Sequence, residues 1–247
     1  MAHTRVEFYQ VDVRSVSMAQ GWGWIATAGG YFAGAPAVWA LMGLVWLIAM
    51  AVLTFIPFVG PLVAAFLMPV LAAGFVLAAR KQDEGGPVQV GDLLIGFSHP
   101  RSAQLLTLGA LSAAAQLAMM IITWLLTMLF VGAAAGGVMM GADPGAAAAG
   151  AGVGMVLVWL LALALWVPLV MALWFAPALV VLRGMSALDA LKRSFEGCLE
   201  NIGAFLLFGV IALAISFVAL LPFGLGMVVW GPVLGAAVYS GYCDIYR

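Results

Sequence analysis

Residues 174–205, WFAPALVVLRGMSALDALKRSFEGCLENIGAF, contain the pattern from which the rest of the chain is interpreted. An apolar stretch ends within them, a short charged segment follows, and a second apolar stretch begins. Their Pro177-Ala178-Leu179 element has counterparts at Pro69-Val70-Leu71 and Pro232-Val233-Leu234. These three Pro-x-Leu sites divide the sequence into three similar parts.

The composition is that of a membrane protein. The chain has 247 residues, 66% of them hydrophobic and 8% charged, and its mean hydropathy is +1.18. A soluble domain carries about 25% charged residues, so we predict an all-α polytopic membrane protein with the lipid bilayer as a partner. The net charge of −1 gives no reason to expect a nucleic-acid partner.

A helix of about 20 apolar residues crosses the ~30 Å hydrocarbon core of a bilayer. We predict a polar N-terminus over residues 1–16 and a single six-helix membrane domain over 17–247. The stretch 132–152, rich in glycine and alanine, is predicted to be a mobile loop. The six predicted spans are about 37–56, 62–79, 102–131, 153–182, 202–221 and 225–242.

Three short amphipathic segments, 17–35, 90–97 and 187–199, precede the predicted hairpins and should lie at the cytoplasmic interface. In the first, Met18, Trp22, Ile25 and Phe32 recur at helical spacing and predict one apolar stripe. In the last, Ser186 and Asp189 have the spacing of a capping box. An apolar face of this segment is then expected from Leu188, Leu191, Phe195 and Leu199.

The basic residues predict the orientation. All nine Lys and Arg residues fall in the N-terminal segment, in 80–101, in 183–193 or at Arg247, and the opposite loops contain none. Because Lys and Arg accumulate on the cytoplasmic side, both termini are expected in the cytoplasm.

The spans would form three hairpins, 37–79, 102–182 and 202–242, in which Pro69, Pro177 and Pro232 kink the returning helices. Repeats of two spans have the same orientation, so we predict an internal triplication about an axis along the membrane normal. Alternatively, proline is simply common in membrane helices, where neighbouring groups satisfy the freed carbonyl.

Five motifs together carry a family resemblance. Four of them are Gly21-Trp22-Gly23-Trp24, Ile56-Pro57-Phe58-Val59-Gly60-Pro61, Asp92-Leu93-Leu94-Ile95-Gly96-Phe97 and Pro222-Phe223-Gly224-Leu225-Gly226. The most specific is the Trp174-Phe175-Ala176-Pro177-Ala178-Leu179 run followed by Leu191-Lys192-Arg193-Ser194-Phe195. With these motifs the sequence resembles the BPSS-type bacterial inner-membrane proteins, a family of unknown function. This resemblance implies a six-span, multi-pass protein of the bacterial inner membrane and supplies no catalytic residues.

The predicted spans contain no Asp, Glu, Lys, Arg or His. Membrane enzymes and proton carriers use such groups within the bilayer, and Cys198 and Cys243 are isolated in sequence. We therefore expect no enzyme activity, no catalytic residues, no cofactor and no metal site.

The third predicted span carries a polar face formed by Ser112, Gln116, Thr123 and Thr127, which are spaced at i, i+4, i+11 and i+15. This face could line a path for a small polar solute. Alternatively, its side chains form interhelical hydrogen bonds worth about 0.6 kcal/mol each.

Two functions remain open at the level of sequence. The first is a non-catalytic inner-membrane protein that serves a larger membrane protein complex as an accessory or scaffolding component, with Lys192, Arg193 and Glu196 as contacts to a partner or to lipid. The second is a facilitator or transporter of a small neutral or apolar solute.

Overall fold

The computed structural model describes residues 12–247, and none of these residues forms a β-strand. The helices follow one another with short connections. Their bounds are α1 Gln20–Gly34, α2 Pro36–Thr54, α3 Val59–Asp83, the 3₁₀ helix η1 Val90–Leu94, α4 Ile95–Ser98, α5 Ser102–Met139, α6 Pro144–Trp174, α7 Ala176–Arg183, α8 Ala187–Glu200, α9 Ile202–Leu220 and α10 Met227–Tyr246.

Five segments of the described chain are long and apolar enough to cross a membrane, which agrees with an all-α membrane protein. They are α2, α3, α5, the α6–α7 stretch Pro144–Arg183, and α9. The sixth predicted span corresponds to α10, which is not among the five. Its second half carries Tyr239, Ser240, Tyr242 and Asp244, whose polar groups lower its hydropathy, and most of this half is buried by other helices.

The core lies where α1, α7, α9 and α10 meet. The Phe175 ring is fully buried and lies edge-on to Phe205 and Tyr246, with ring centroids 5.6 and 5.3 Å away. Trp24 of α1 adds a ring 5.1 Å from Phe205. Edge-on aromatic pairs at these distances are favourable beyond the area they bury.

The face of α1 that is buried differs from the predicted stripe. Gly21, Trp24, Ile25 and Ala28 are buried against α9 and α10, whereas Met18 and Trp22 are 57% and 53% exposed. The reason is a close backbone approach, since a Cβ on Gly21 would collide with the Ala204 carbonyl of α9. The helix therefore turns its glycine, and not its most apolar side, toward the core.

A second close approach joins α2 to α10. Pro232 lies inside α10 and leaves the Val228 carbonyl, four residues earlier, without its usual N–H partner. Gly43 of α2 faces this carbonyl, and a Cβ there would collide with it and with the Pro232 ring. The kink of one helix is therefore covered by a glycine of another.

Packing between helices follows only one of the predicted hairpins. In 102–182, α5 packs extensively against α6. The helix α3 packs more extensively against α5 than against α2, and α10 more extensively against α1 and α2 than against α9. In the first and third predicted hairpins, the two helices therefore pack less extensively against each other than against partners from other parts of the chain.

The prediction of a mobile loop over 132–152 is wrong. Helix α5 continues to Met139 and α6 begins at Pro144, so only four residues connect them. The Asp143 carboxylate accepts a hydrogen bond from the Ala146 N–H at 2.8 Å, and Pro144 occupies the first turn. A run of alanines has high helix propensity, and this cap begins the second helix.

Candidate functional site

The basic residues of the described chain gather at one end of the bundle, here called the cationic end. The Arg183 guanidinium donates to the Tyr246 carbonyl, and the Tyr246 hydroxyl donates to the Arg193 carbonyl at 2.9 Å. The Arg14 N–H donates to the Ile245 carbonyl at 2.9 Å. Helices α3, α7 and α10 all end here, and the partial negative charge of helix C-termini favours cations.

The break between α6 and α7 is held by Ser194 of α8. Its buried hydroxyl accepts a hydrogen bond from the Phe175 N–H at 2.9 Å and donates to the Met171 carbonyl at 2.7 Å. In a continuous helix these two main-chain groups would bond to each other. The inserted hydroxyl replaces that bond and opens the helix just before Pro177, which is a recognised cause of a kink.

Asp83, at the end of α3, connects three helices. Its carboxylate accepts hydrogen bonds from the hydroxyls of Tyr31 of α1 at 3.0 Å and Tyr239 of α10 at 2.9 Å, and it lies 3.7 Å from Arg247. Burial, together with the Asp83 carboxylate, raises the pKa of Tyr31. The Tyr31 hydroxyl therefore stays protonated and acts as a donor.

The indole N–H groups of two buried tryptophans donate hydrogen bonds to neighbouring polar side chains. The Gln82 side chain accepts from Trp39 at 2.8 Å, and the Asp244 carboxylate accepts from Trp24 at 2.9 Å. A buried indole needs such a partner for its N–H. These bonds fix where α1 and α2 lie against the ends of α3 and α10.

Asn201, between α8 and α9, anchors the segment that precedes α1. Its amide oxygen accepts from the Val16 N–H at 2.7 Å, and its nitrogen donates to the carbonyls of Arg14 and Gly197, both at 3.0 Å. Of the predicted polar N-terminus, 1–16, the first 11 residues lie outside the described part of the chain. Within its described part, 14–16 are held by this buried amide.

The predicted polar face of α5 does not form an interhelical network among the described residues. The Thr123 hydroxyl donates to the Met119 carbonyl of its own helix at 2.7 Å. Ser112 is buried and its hydroxyl has no hydrogen-bond partner in the described chain. Gln116 and Thr127 are half-buried.

The buried side of helix α8 consists of small residues and differs from the predicted apolar face. Ala187, Ala190, Ser194, Gly197 and Cys198 are buried, whereas Leu188 and Leu199 are 59% and 53% exposed. A Cβ on Gly197 would collide with the Tyr246 hydroxyl, so small side chains let α8 lie close to its neighbours. Leu191 and Phe195 are half-buried. The predicted apolar face is thus divided between the bundle and its surroundings.

The capping pattern of α8 is present in a modified form. The Ser186 hydroxyl accepts from the Asp189 N–H at 3.3 Å and donates to the Asp189 carboxylate at 2.6 Å. The side chains of the two residues therefore bond to each other. In a full capping box the acid would accept from the backbone of the cap residue.

The predicted contact residues on α8 lie on its outer side. Arg193 and Glu196 form an ion pair at 2.8 Å, and Lys192 is exposed. The Glu196 side chain is 57% exposed and that of Arg193 is partly buried, at 25%. Ion pairs near the surface contribute about 0–1 kcal/mol, so this pair adds little to the stability of the fold.

The three prolines predicted to kink helices are all buried. Pro69 and Pro232 lie inside α3 and α10, and Pro177 lies in the first turn of α7, after the break at Phe175.

Sequence reasoning missed Ser194, Asn201, Asp83 and Asp244. The two acids and Asn201 share one signal, which is a polar residue next to a long apolar stretch. Ser194 has no such signal, because its position within the charged segment resembles that of any solvated serine.

The two cysteines of the described chain are free, one buried and one partly buried. The Cys198 thiol is buried, lies 3.4 Å from the Met171 carbonyl, and has its pKa raised by burial to about 12. Within residues 12–247 there is no group of three His, Cys, Asp or Glu side chains that could hold a metal ion.

Comparison with known proteins gives one informative relative. A protein of Burkholderia thailandensis named as a probable inner membrane protein is 29% identical over 231 residues, which cover 91% of this chain and 82% of that protein. No family model and no solved structure matches the chain, so the BPSS-type resemblance has no support at the family level. Residues 12–247 thus contain five apolar helical segments of spanning length, and the chain is similar to a bacterial protein named as a probable inner membrane protein.

Proposed function

We propose that the chain is a non-catalytic protein of the bacterial inner membrane that acts as an accessory or scaffolding component through contacts with lipid and with other membrane proteins. One observation carries this proposal. The outer part of the α5–α6 hairpin is covered by no other helix of the described chain.

The hairpin leaves the bundle about one-third of the way along α5. The buried residues of α5 end at Ser112, and Gly109 lies against Phe66 of α3. Helix α3 begins at Val59, two turns before Phe66, so it cannot follow α5 much further. With 38 residues, α5 is about 57 Å long, longer than the ~30 Å hydrocarbon core.

The uncovered surface is strongly apolar. Trp124 of α5 and Trp159 of α6 are 61% and 69% exposed, among many exposed leucines and valines. Lipid can cover such a surface, and so can the helices of a partner. An isolated pair of long helices is suited to making contacts and provides no enclosed site for chemistry.

A six-span arrangement with cytoplasmic termini belongs to the same proposal. The turn before α3 and the turn before α10 both contain Pro-Phe, and Phe58 and Phe223 both have positive φ, 62° and 53°. Positive φ is uncommon for a bulky residue, so the shared geometry supports α10 as a returning span equivalent to α3. The sorting of Lys and Arg supports cytoplasmic termini.

The proposal is tested by gentle extraction of the full chain, followed by size measurement and mass spectrometry of whatever co-purifies. The double variant Trp124→Ala/Trp159→Ala should lose a partner that the native chain retains. Leu213→Ala, at an equally exposed apolar position on α9, is the matched control. A chain that purifies alone under all mild conditions would contradict the accessory role.

The second candidate, a facilitator of a small solute, is favoured by the unpaired Ser112 hydroxyl, because a polar solute could supply the missing partner. Gln116→Leu distinguishes the two functions. In an accessory protein, this change should leave folding and co-purification unaltered. In a facilitator, solute flux into vesicles should fall while the melting temperature stays within a few degrees of the native value.

A further inference from the structure

An open cleft of about 200 Å³ lies where α3, α7 and α10 end, and it is lined by Arg80, Leu182, Arg183, Tyr242 and Arg247. Arg80 and Arg183 are in the last turns of α3 and α7, and Arg247 follows α10. We infer that this arginine cleft binds a phosphate group. The inference goes beyond the accessory role and does not depend on it.

The charged side chains that line the cleft are all cationic. Among the described residues no side-chain carboxylate lines it, and two lie at its edge. Glu84 pairs with Arg80 at 2.8 Å, and Asp83 lies 3.7 Å from Arg247. Arg183 has no carboxylate within ion-pair distance in the described chain. Three cations therefore face two acids, and Asp83 is shared with two tyrosine hydroxyls.

The guanidinium groups keep donors available for a ligand. Each carries five N–H donors. Arg80 uses its Nε for Glu84, and Arg183 uses one terminal nitrogen for the Tyr246 carbonyl. The remaining nitrogens of Arg80 have no hydrogen-bond partner among the described residues, whereas Arg183 also lies beside the Tyr242 hydroxyl. The Arg183 guanidinium also lies 6.0 Å from the centre of the Tyr242 ring, within the range of a cation–π contact, which limits its orientation.

These features fit a phosphate group better than a larger ligand. The planar fork of arginine matches two phosphate oxygens at once. The cleft volume corresponds to roughly seven water molecules at ~30 Å³ each, and it is smaller than the ~300 Å³ lower limit of pockets for drug-sized ligands. Because the cleft is at the end of α3, where the apolar stretch gives way to charged residues, both a lipid headgroup and a soluble phosphate can reach it.

The test uses the purified full chain in a neutral detergent. Thermal unfolding is followed during titration with short-chain phosphatidylglycerol and, separately, with inorganic phosphate, each against chloride at equal ionic strength. A saturable rise in melting temperature with either probe supports the cleft. A rise with the lipid alone identifies the source as a headgroup, and a rise with inorganic phosphate identifies a soluble ligand. No saturable rise with either probe would overturn the inference.

Variants locate the binding. Arg80→Gln should raise the dissociation constant roughly tenfold or more, because a charge-assisted hydrogen bond to the phosphate is lost. Arg80→Lys keeps the charge and loses the fork, so its affinity should lie in between. Arg14→Gln removes an exposed cation that does not line the cleft, leaves the main-chain bonds of residue 14 in place, and should change affinity less than twofold.

Arg183→Gln is expected to weaken binding as much as Arg80→Gln. If Arg183→Gln fails to fold because the Tyr246 carbonyl loses its donor, the comparison of Arg80→Gln with Arg80→Lys tests the inference. Both Arg80 variants should fold, because the ion-pair partner of Arg80 is the partly exposed Glu84. The inference is wrong if Arg14→Gln weakens binding as strongly as Arg80→Gln, or if neither Arg80 variant changes it.

Discussion

The Ser194 hydroxyl takes the place of the hydrogen bond that the Phe175 N–H would otherwise make to the Met171 carbonyl. One side chain of α8 thus satisfies both main-chain groups exposed by the break before Pro177. Asp83 and Asn201 do comparable work, since each joins three separate segments through two or three hydrogen bonds. At the scale of the residue, the fold depends on a few polar groups at the ends of apolar helices.

Ser194→Ala should lower the free energy of unfolding by about 1–3 kcal/mol, because two buried main-chain groups lose their partner. The measurement is denaturant or thermal unfolding in detergent. Ser98→Ala is the control, since the exposed Ser98 hydroxyl bonds only to the Ile95 carbonyl nearby. Equal melting temperatures for the two variants would show that the helix break holds without the hydroxyl.

Cys198 should react slowly with thiol reagents in the folded protein. Burial raises its pKa to about 12, so the thiol stays protonated at pH 8, and the thiolate is the reactive form. Labelling of a Cys243→Ala variant with a maleimide should be slow in mild detergent and fast after denaturation in dodecyl sulfate. Rapid labelling in the folded state would contradict the burial of this side chain.

Glycines facing a neighbouring backbone determine how the helices cross. Gly21 of α1 faces the Ala204 carbonyl, Gly43 of α2 faces Val228, and Gly109 of α5 faces Phe66. Each removes a Cβ where another main chain approaches, as in the small-residue contacts of membrane helices. At the scale of the element, the buried face of a helix is therefore the face that allows the closest approach.

Gly43→Ala should destabilise the protein by roughly 1–3 kcal/mol, because the added methyl group forces α2 away from α10. Gly209→Ala, in α9, is the matched control, since a Cβ there meets no neighbouring atom within 4 Å. Its stability should stay the same or rise, as alanine is the better helix former. Comparison of unfolding midpoints separates the two effects. An equal response would place α10 further from α2 than the structure does.

The whole molecule has a compact cationic end and, away from it, a long apolar hairpin. The described Lys and Arg residues lie at the cationic end, near the ends of α3, α7, α8 and α10. The turn between α5 and α6 lies at the far tip of the apolar hairpin. If the cationic end faces the cytoplasm, this tip lies on the opposite side of the membrane.

Ala142→Cys should label with a membrane-impermeant reagent from outside intact spheroplasts, and Lys192→Cys only after permeabilisation. Both changes are made in a Cys198→Ala/Cys243→Ala background. Position 142 is chosen because Asp143 caps α6, and Lys192 because the buried Cys198 would resist labelling on either side. Labelling of position 192 from outside would reverse the proposed orientation.

The sequence by itself determined the class of the protein and, within a few residues, where most of its apolar helices lie. These properties can be determined from the composition of one segment. Each side chain has its own free energy of transfer from water to an apolar medium, and these free energies add up along a helix. The stretch 132–152 was misjudged, since its glycines suggested a loop while its alanines and the Asp143 cap favour helix.

Only the tertiary structure decided which faces of the helices are buried and which polar groups pair. Gly21 brings Trp24 into the core, so Trp22 of the predicted stripe remains outside. In α8 the small residues are buried, and two of the four side chains of the predicted apolar face, Leu188 and Leu199, are exposed. The physical reason is that burial depends on how closely another backbone can approach. The periodicity of one helix contains no information about where a neighbouring helix lies.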